Sequence, residues 1–245
     1  MKILTIGDSW TYGTNSSDPL TKSWPAQMAK KYDVDVVNLA RAGSSNKRAA
    51  RIAIEELSRN PNYDFVIFPL APASRTEILK IGKWHQIWPN QAFDPLDQIY
   101  TKFWHKWNDV QETILLSLYF IGAVSLFKIP LYITGLSLHP NQYQKELSWI
   151  TDYQEDNDFS SLGMPLEEFD IGTADLDRKL KSLKAIHQTN LSIQPEYFSD
   201  VYENYFMNKE TQQKYGYLMK EFKGHPNDDG YHALCDYFAK KIGLC

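Results

Sequence analysis

Cysteine, surplus basic charge and long apolar runs are all scarce in this 245-residue chain. Its two cysteines, Cys235 and Cys245, are too few and too late to frame a disulfide scaffold, so a reducing, cytoplasmic setting is expected. Lys and Arg number 26 against 30 Asp and Glu, a formal net charge of -4. Without a basic excess to neutralise phosphates, nucleic acid is not the expected partner, and Lys47-Arg48 reads as a solvated helix face. The longest apolar stretch, Thr113 to Phe127, is broken by Ser117, Gly122 and Ser125. It falls short of the ~20 residues that cross a bilayer and reads as a buried helix, so no membrane partner is expected. Met1-Lys2 runs straight into a strand-like segment, which leaves no signal peptide to expect. The six histidines are dispersed and lack the close spacing of zinc or iron ligands, and no glycine-rich phosphate loop is present. Neither a metal nor a cofactor is therefore expected.

What the chain does have is enough length for one substantial core, so a single domain over residues 1–245 is expected. Apolar runs alternate with helical patterns along its first half. Ile3, Leu4 and Ile6 form a strand that ends abruptly at Gly7-Asp8-Ser9. Trp24 to Tyr32 suits a helix with Ser23 as N-cap and Pro25 in its first turn. Val34 to Leu39 is a second strand, followed by the small-residue loop Ala40 to Asn46 and a helix from Lys47 to Leu57. Phe65 to Phe68 is a third strand punctuated by Pro69 and Pro72, and Ile129 to Thr134 a fourth, entered through Pro130.

This alternation implies βαβ units: a mostly parallel, flavodoxin-like sheet in a three-layer α/β/α sandwich. Ser74 to Trp107 reads as a long loop leading into helix from about Leu96. Residues 137–175, polar and acidic without clear periodicity, read as an irregular insertion. Ala174 to Gln188 has helical spacing, and Gly230 to Ile242 forms an amphipathic closing helix with its basic end at the C-terminus. The triplet His-Pro-Asn occurs at His139 and again at His225, a repeat attributed to turn chemistry.

Ser9 is the residue on which a function turns. Strands of a parallel sheet present functional groups at their C-terminal ends, where Gly7 permits a tight turn and Asp8 holds it. A serine hydroxyl there needs an imidazole within hydrogen-bond reach to act as a nucleophile, and fixed donors for the developing oxyanion.

Three features converge: Ser9 after the first strand, Gly43 after the second, and His225-Pro226-Asn227 before the last helix. In this order they resemble the GDSL/SGNH hydrolase superfamily, most strongly in IGDSWTYG. The resemblance implies an SGNH-hydrolase fold, Ser9 as nucleophile, the N–H groups of Ser9 and Gly43 as oxyanion donors, and His225 as base. It departs after the third strand, where Ala71 replaces the customary Asn in PLAPASR. Arg75-Thr76-Glu77 resembles a variant block with Arg-x-Glu, so Arg75 and Asn46 are the alternatives for a third donor. Arg75 has a competing use as an ion-pair partner of Glu77, and Asn46 as a helix cap.

The acid is displaced as well. Phe222 stands three residues before His225, Glu221, Asp228 and Asp229 are nearby, and a literal Asp-x-x-His occurs at Asp229 and His232. Asp229 is thus a candidate acid and His232 an alternative base, or Ser9 and His225 work as a dyad with the imidazole held by a backbone carbonyl. The implied activity is that of a serine esterase on a small-molecule or carbohydrate ester, acetylated sugars foremost. An acyltransferase on the same scaffold and a catalytically degenerate carbohydrate-binding or structural protein are the alternatives.

Overall fold

The apolar residues of the first strand divide between two cores, and that division builds the molecule. The computed structural model describes residues 1–71, 75–87, 116, 119–135, 191–193 (backbone alone), 208–215 and 225–245. In chain order the elements are β1 (Lys2–Thr5), α1 (Ser9–Tyr12), α2 (Pro19–Lys22), α3 (Trp24–Tyr32), β2 (Asp35–Asn38), α4 (Asn46–Arg59) and β3 (Phe65–Leu70). They continue with β4 (Thr76–Lys80), β5 (Lys83–Ile87), α5 (residues 119–126), β6 (Leu131–Gly135), β7 (Leu191–Ile193), α6 (Lys209–Tyr215) and α7 (Asp228–Lys241).

Five strands form one sheet in the order β2-β1-β3-β6-β7, and every pairing is parallel. Side chains alternate across a strand, so neighbours in sequence enter opposite layers. Ile3 of β1, Ile67 of β3 and Tyr132 of β6 pack with Trp24 and Met28 of α3 and with Leu234 and Phe238 of α7. Leu4, Val66, Phe68 and Ile133 face the other way, against Ala49, Ala53 and Leu57 of α4 and Phe120 and Val124 of α5. This is the expected α/β/α sandwich. From β1 the chain crosses one face through α3 to β2, then returns over the other through α4 to β3. The winding therefore reverses between β1 and β3, the place at which open α/β sheets form a crevice.

The strand and helix expectations of the first 70 residues hold, with two refinements. Ser23 occupies the N-cap of α3 but its hydroxyl makes no cap hydrogen bond. Pro69 does not end β3: it lies inside the strand opposite Thr134. Val66 N–H points to β6 through Pro130, while Ile67 C=O accepts Ile6 N–H on the β1 side. By alternation Pro69 also faces β1, which has already turned away at Gly7, so its missing N–H deprives no partner.

Ser74 to Trp107 was expected as loop, but Thr76 to Ile87 is an antiparallel hairpin, β4 paired with β5. Its two turn residues, Ile81 at φ 46° and Gly82 at φ 71°, both have positive φ. That is the requirement of a type I′ turn, and Ile at the first position hides the Asn-Gly signal that normally announces one. The insertion at 137–175, the helix at 174–188 and the His-Pro-Asn at His139 lie outside the described residues.

Candidate active site

β1 delivers the chain into a turn whose geometry only glycine satisfies. Gly7 adopts φ 148°, and a Cβ there would lie 2.6 Å from Thr11 Oγ1 and 3.1 Å from the Pro69 carbonyl oxygen. Asp8 then starts α1: its Oδ1 accepts the Trp10 N–H at 3.0 Å, as an N-cap does. Ser9 follows as the first helical residue, only 4 % exposed. Asn38, at the end of β2, stitches this turn to its surroundings. Its amide nitrogen donates to Thr11 C=O at 3.1 Å, while its oxygen accepts from Thr5 Oγ1 and Ala40 N–H, each at 3.1 Å.

His225 arrives from the far end of the chain. Its Nε2 lies 2.9 Å from Ser9 Oγ, a hydrogen bond between residues 216 positions apart. The placement of the imidazole follows from the start of α7. Asn227 caps that helix, accepting Gly230 N–H at 2.8 Å. Asp228 receives both the backbone N–H and the hydroxyl of Ser17, at 2.8 and 2.5 Å. The loop after α1 and the start of α7 are thereby tied together on either side of Ser9 and His225. The His-Pro-Asn triplet thus has a plain structural use, since its Asn is a helix cap.

Gly43 sits in a four-residue turn closed by Ser44 N–H to Arg41 C=O at 3.0 Å, with φ 74° at Gly43. Positive φ at the third residue is the demand of a type II turn. The turn is anchored beside the nucleophile, because Arg41 N–H reaches Gly7 C=O at 3.4 Å.

Arg75 and Asn46, the alternatives for a third oxyanion donor, each hold a protein group. Arg75 Nη1 lies 2.8 Å from Asp8 Oδ2, so the residue after β3 grips the residue before the nucleophile. Burial pushes the Asp8 carboxyl up. The Arg75 guanidinium, the Trp10 N–H and the neighbouring His225 all pull against that rise. Glu77, the expected partner of Arg75, is held instead by Arg51, whose Nε and Nη2 meet its two oxygens at 2.9 and 3.1 Å.

Asn46 is buried and forms a two-way clamp on Ala71: its Nδ2 donates to Ala71 C=O at 2.9 Å and its Oδ1 accepts Ala71 N–H at 2.7 Å. The helix cap is Ser45, which accepts Arg48 N–H. Asn46 thus fastens α4 to the position where the family pattern has its own Asn.

The alternative acid and base both lie on α7. Asp229 is exposed in the first turn of α7 and makes no ion pair with a described residue. His232 is half exposed one turn further on, 3.8 Å from Asp236 Oδ2 and against the ring of Tyr215. Neither Asn38 nor the ion pair of Asp8 with Arg75 was foreseen from sequence. Asn38 ends a strand next to a loop, a position that carries no chemical signature.

Among the described residues no group of three or more His, Cys, Asp or Glu side chains is arranged to hold a metal ion. None of the described helices is long and apolar enough to cross a membrane.

No protein-family model and no curated protein matches the chain. Solved structures do. TesA superposes with a TM-score of 0.57 at 12 % identity, covering 100 % of both chains. A catalytic mutant of Axe2, an acetylxylan esterase from Geobacillus stearothermophilus, gives 0.55 at 14 %, covering 99 % of this chain and 94 % of that one. The salicylyl-acyltransferase SsfX3, from a tetracycline biosynthetic pathway, gives 0.51 at 13 %, covering 99 % of this chain and 54 % of its own. The chain has the SGNH-hydrolase fold.

Proposed function

We propose that this protein is a serine ester hydrolase of the SGNH type, with Ser9 as nucleophile and His225 as general base. One observation carries the reading: the 2.9 Å contact of Ser9 Oγ with His225 Nε2, at the carboxyl end of the sheet beside the β1/β3 crevice. A buried hydroxyl on an imidazole, reached across nearly the whole chain, is the arrangement nucleophilic catalysis requires.

In the proposed reaction Ser9 Oγ attacks the ester carbonyl carbon as its proton passes to His225 Nε2. The carbonyl π electrons move onto oxygen, and the N–H groups of Ser9 and Gly43 receive the oxyanion. Each such donor is worth about 3 kcal/mol when aimed at the developing charge. Collapse expels the alcohol, which takes the proton from His225 and leaves an acyl-Ser9 ester. Water attacks that ester as its proton passes to His225, and collapse of the second tetrahedral intermediate releases the carboxylic acid as His225 returns the proton to Ser9 Oγ. Asp8, one residue from the nucleophile, supplies a carboxylate whose field reaches His225. Arg75 has the task of holding Asp8, not of touching substrate.

Acetyl groups on a carbohydrate are the proposed substrate class, in keeping with the acetylxylan esterase among the neighbours. The acyltransferase neighbour favours one second reading, in which a substrate hydroxyl replaces water as acceptor for the acyl group. The test is turnover of p-nitrophenyl acetate. Ser9→Ala and His225→Ala are each expected to lower kcat by about 10³-fold or more, as removal of a nucleophile or its base does. Equal rates for wild type and Ser9→Ala would leave only the reading as a binding protein. Acyl-Ser9 trapped with a slow ester and then offered sugar hydroxyls separates hydrolysis from transfer.

A further inference from the structure

The turn that presents Gly43 carries more positive charge than it uses. Arg41 opens this turn and supplies the carbonyl that closes it, while its backbone N–H rests on Gly7 C=O, two residues before Ser9. Arg48, in the first turn of α4, sends Nη1 to the hydroxyl of Ser44, the residue after Gly43, at 3.4 Å. Arg41 by its backbone and Arg48 by its guanidinium therefore hold the same turn. Neither is ion-paired with a carboxylate among the described residues. The nearby carboxylate is already spent: Glu77 receives two hydrogen bonds from Arg51, and Gln86 Nε2 adds a third contact to it at 3.3 Å.

Arg48 was read from sequence as part of a solvated helix face, yet it is half-buried. Burial lowers its guanidinium pKa from the ordinary value, and so do the charges of Arg41 and Arg51, with Glu77 opposing them. Holding like charges together in a partly desolvated place costs free energy. Arg48 also lies in the first turn of α4, the end of a helix that disfavours a cation. An anion bound at this turn offsets both penalties, and arginine's planar fork suits a carboxylate or phosphate in particular.

We propose that Arg41 and Arg48 form an anion subsite beside the candidate active site, taking a carboxylate or phosphate carried by the ester substrate. This assignment rests on the reading of Ser9 and Gly43 as nucleophile and oxyanion donor, since it is their turn that the two arginines flank. It narrows the substrate class to acidic esters, such as an acetylated uronic acid or an acetylated sugar phosphate. It also accounts for a cationic cluster on a chain whose net charge is -4.

The experiment has a kinetic arm and a binding arm. In the first, kcat/KM is compared for an O-acetylated uronic acid, its neutral methyl ester and an O-acetylated sugar phosphate. Arg41→Gln and Arg48→Gln are each expected to lower the ratio of charged to neutral substrate by tenfold or more, mostly through KM. Arg41 is exposed, so its variant guards against a loss that merely reflects misfolding of Arg48→Gln. The uronate and phosphate ratios against the neutral ester tell which anion is preferred.

In the second arm, methyl glucuronide and inorganic phosphate are titrated into Ser9→Ala protein and into the same protein carrying Arg48→Gln. Saturable binding lost at least tenfold with Arg48 supports the subsite even if no ester is hydrolysed, in which case only the esterase reading falls. Hydrolysis with equal ratios in wild type and both variants would overturn the subsite and leave the esterase standing. Absence of anion binding in Ser9→Ala, with no preference among the esters, would overturn it too.

Discussion

Arg75 shows how far a single side chain's role depends on its neighbours. Placed after the third strand, it resembled a donor for an oxyanion or a partner of Glu77. The fold gives Glu77 to Arg51, however, and brings Arg75 to Asp8. Asp8 is almost wholly buried, and an unpaired buried carboxylate is costly, so Arg75→Gln is expected to destabilise the protein by about 3 kcal/mol near neutral pH. The sign of the pH dependence follows from the same group. Burial already pushes the Asp8 carboxyl up, and without Arg75 it rises further. A carboxyl whose folded pKa exceeds its unfolded value costs stability above that folded value, and the cost fades as pH falls and the group protonates. The deficit of Arg75→Gln in urea unfolding should therefore shrink on acidification. Adding Asp8→Asn should remove most of it at pH 7. A deficit that stays constant with pH would show that Arg75 acts through something other than Asp8.

The β4–β5 hairpin is the element that sequence reasoning missed, and the reason is local. Its strands are short, and its turn uses Ile81 at φ 46°, a conformation that a β-branched residue rarely adopts. Ile81 is 93 % exposed, so nothing it packs against compensates the strain. Ile81→Asn supplies the residue a type I′ turn prefers and should stabilise the protein by about 1 kcal/mol, read as a raised midpoint in thermal or urea unfolding. An unchanged or lowered midpoint would mean that the turn is not the source of strain. The core-facing elements were easier to read. α3 and α4 each bury one face while β1 and β2 pack on both, and hydrophobic spacing records burial directly. A hairpin with Lys80, Ile81, Gly82, Lys83 and Trp84 exposed at its tip leaves no such record.

At the scale of the whole molecule, Asp236 joins three helices. Lys31 and Tyr32 of α3 and Tyr215 of α6 all reach its carboxylate on α7, Lys31 Nζ at 2.5 Å and Tyr215 Oη at 2.6 Å. Burial pushes the Asp236 carboxyl up, but hydrogen bonds from Lys31 and Tyr215, with the charges of Lys31 and His232, outweigh it and hold the group below its ordinary value. Lys31, through its hydrogen bond to Asp236, is correspondingly raised above 10.5. A depressed carboxyl contributes stability above its unfolded value of 3.8, lost as pH falls through the folded value. A raised ammonium contributes below 10.5 and loses that contribution at higher pH. Asp236→Asn is therefore expected to cost about 1 kcal/mol between those limits and to approach wild type under strong acid, as measured by urea unfolding across pH. A cost that persists unchanged at acid pH would place the contribution in packing instead of charge.

The sequence alone determined the layers, the parallel wind and the two residues of the proposed site, since Gly7-Asp8-Ser9 after a buried strand and His225 before a capped helix are local chemical patterns. Of the partners it pointed only to His225 for Ser9, through the family resemblance. That Asp8 takes Arg75, that Asn46 clamps Ala71 and that Glu77 goes to Arg51 are facts of closure between distant segments. Periodicity and turn chemistry report which face of an element meets a core or bends the chain. Which polar group stands opposite another is set only when the sheet winds and its carboxyl ends come together.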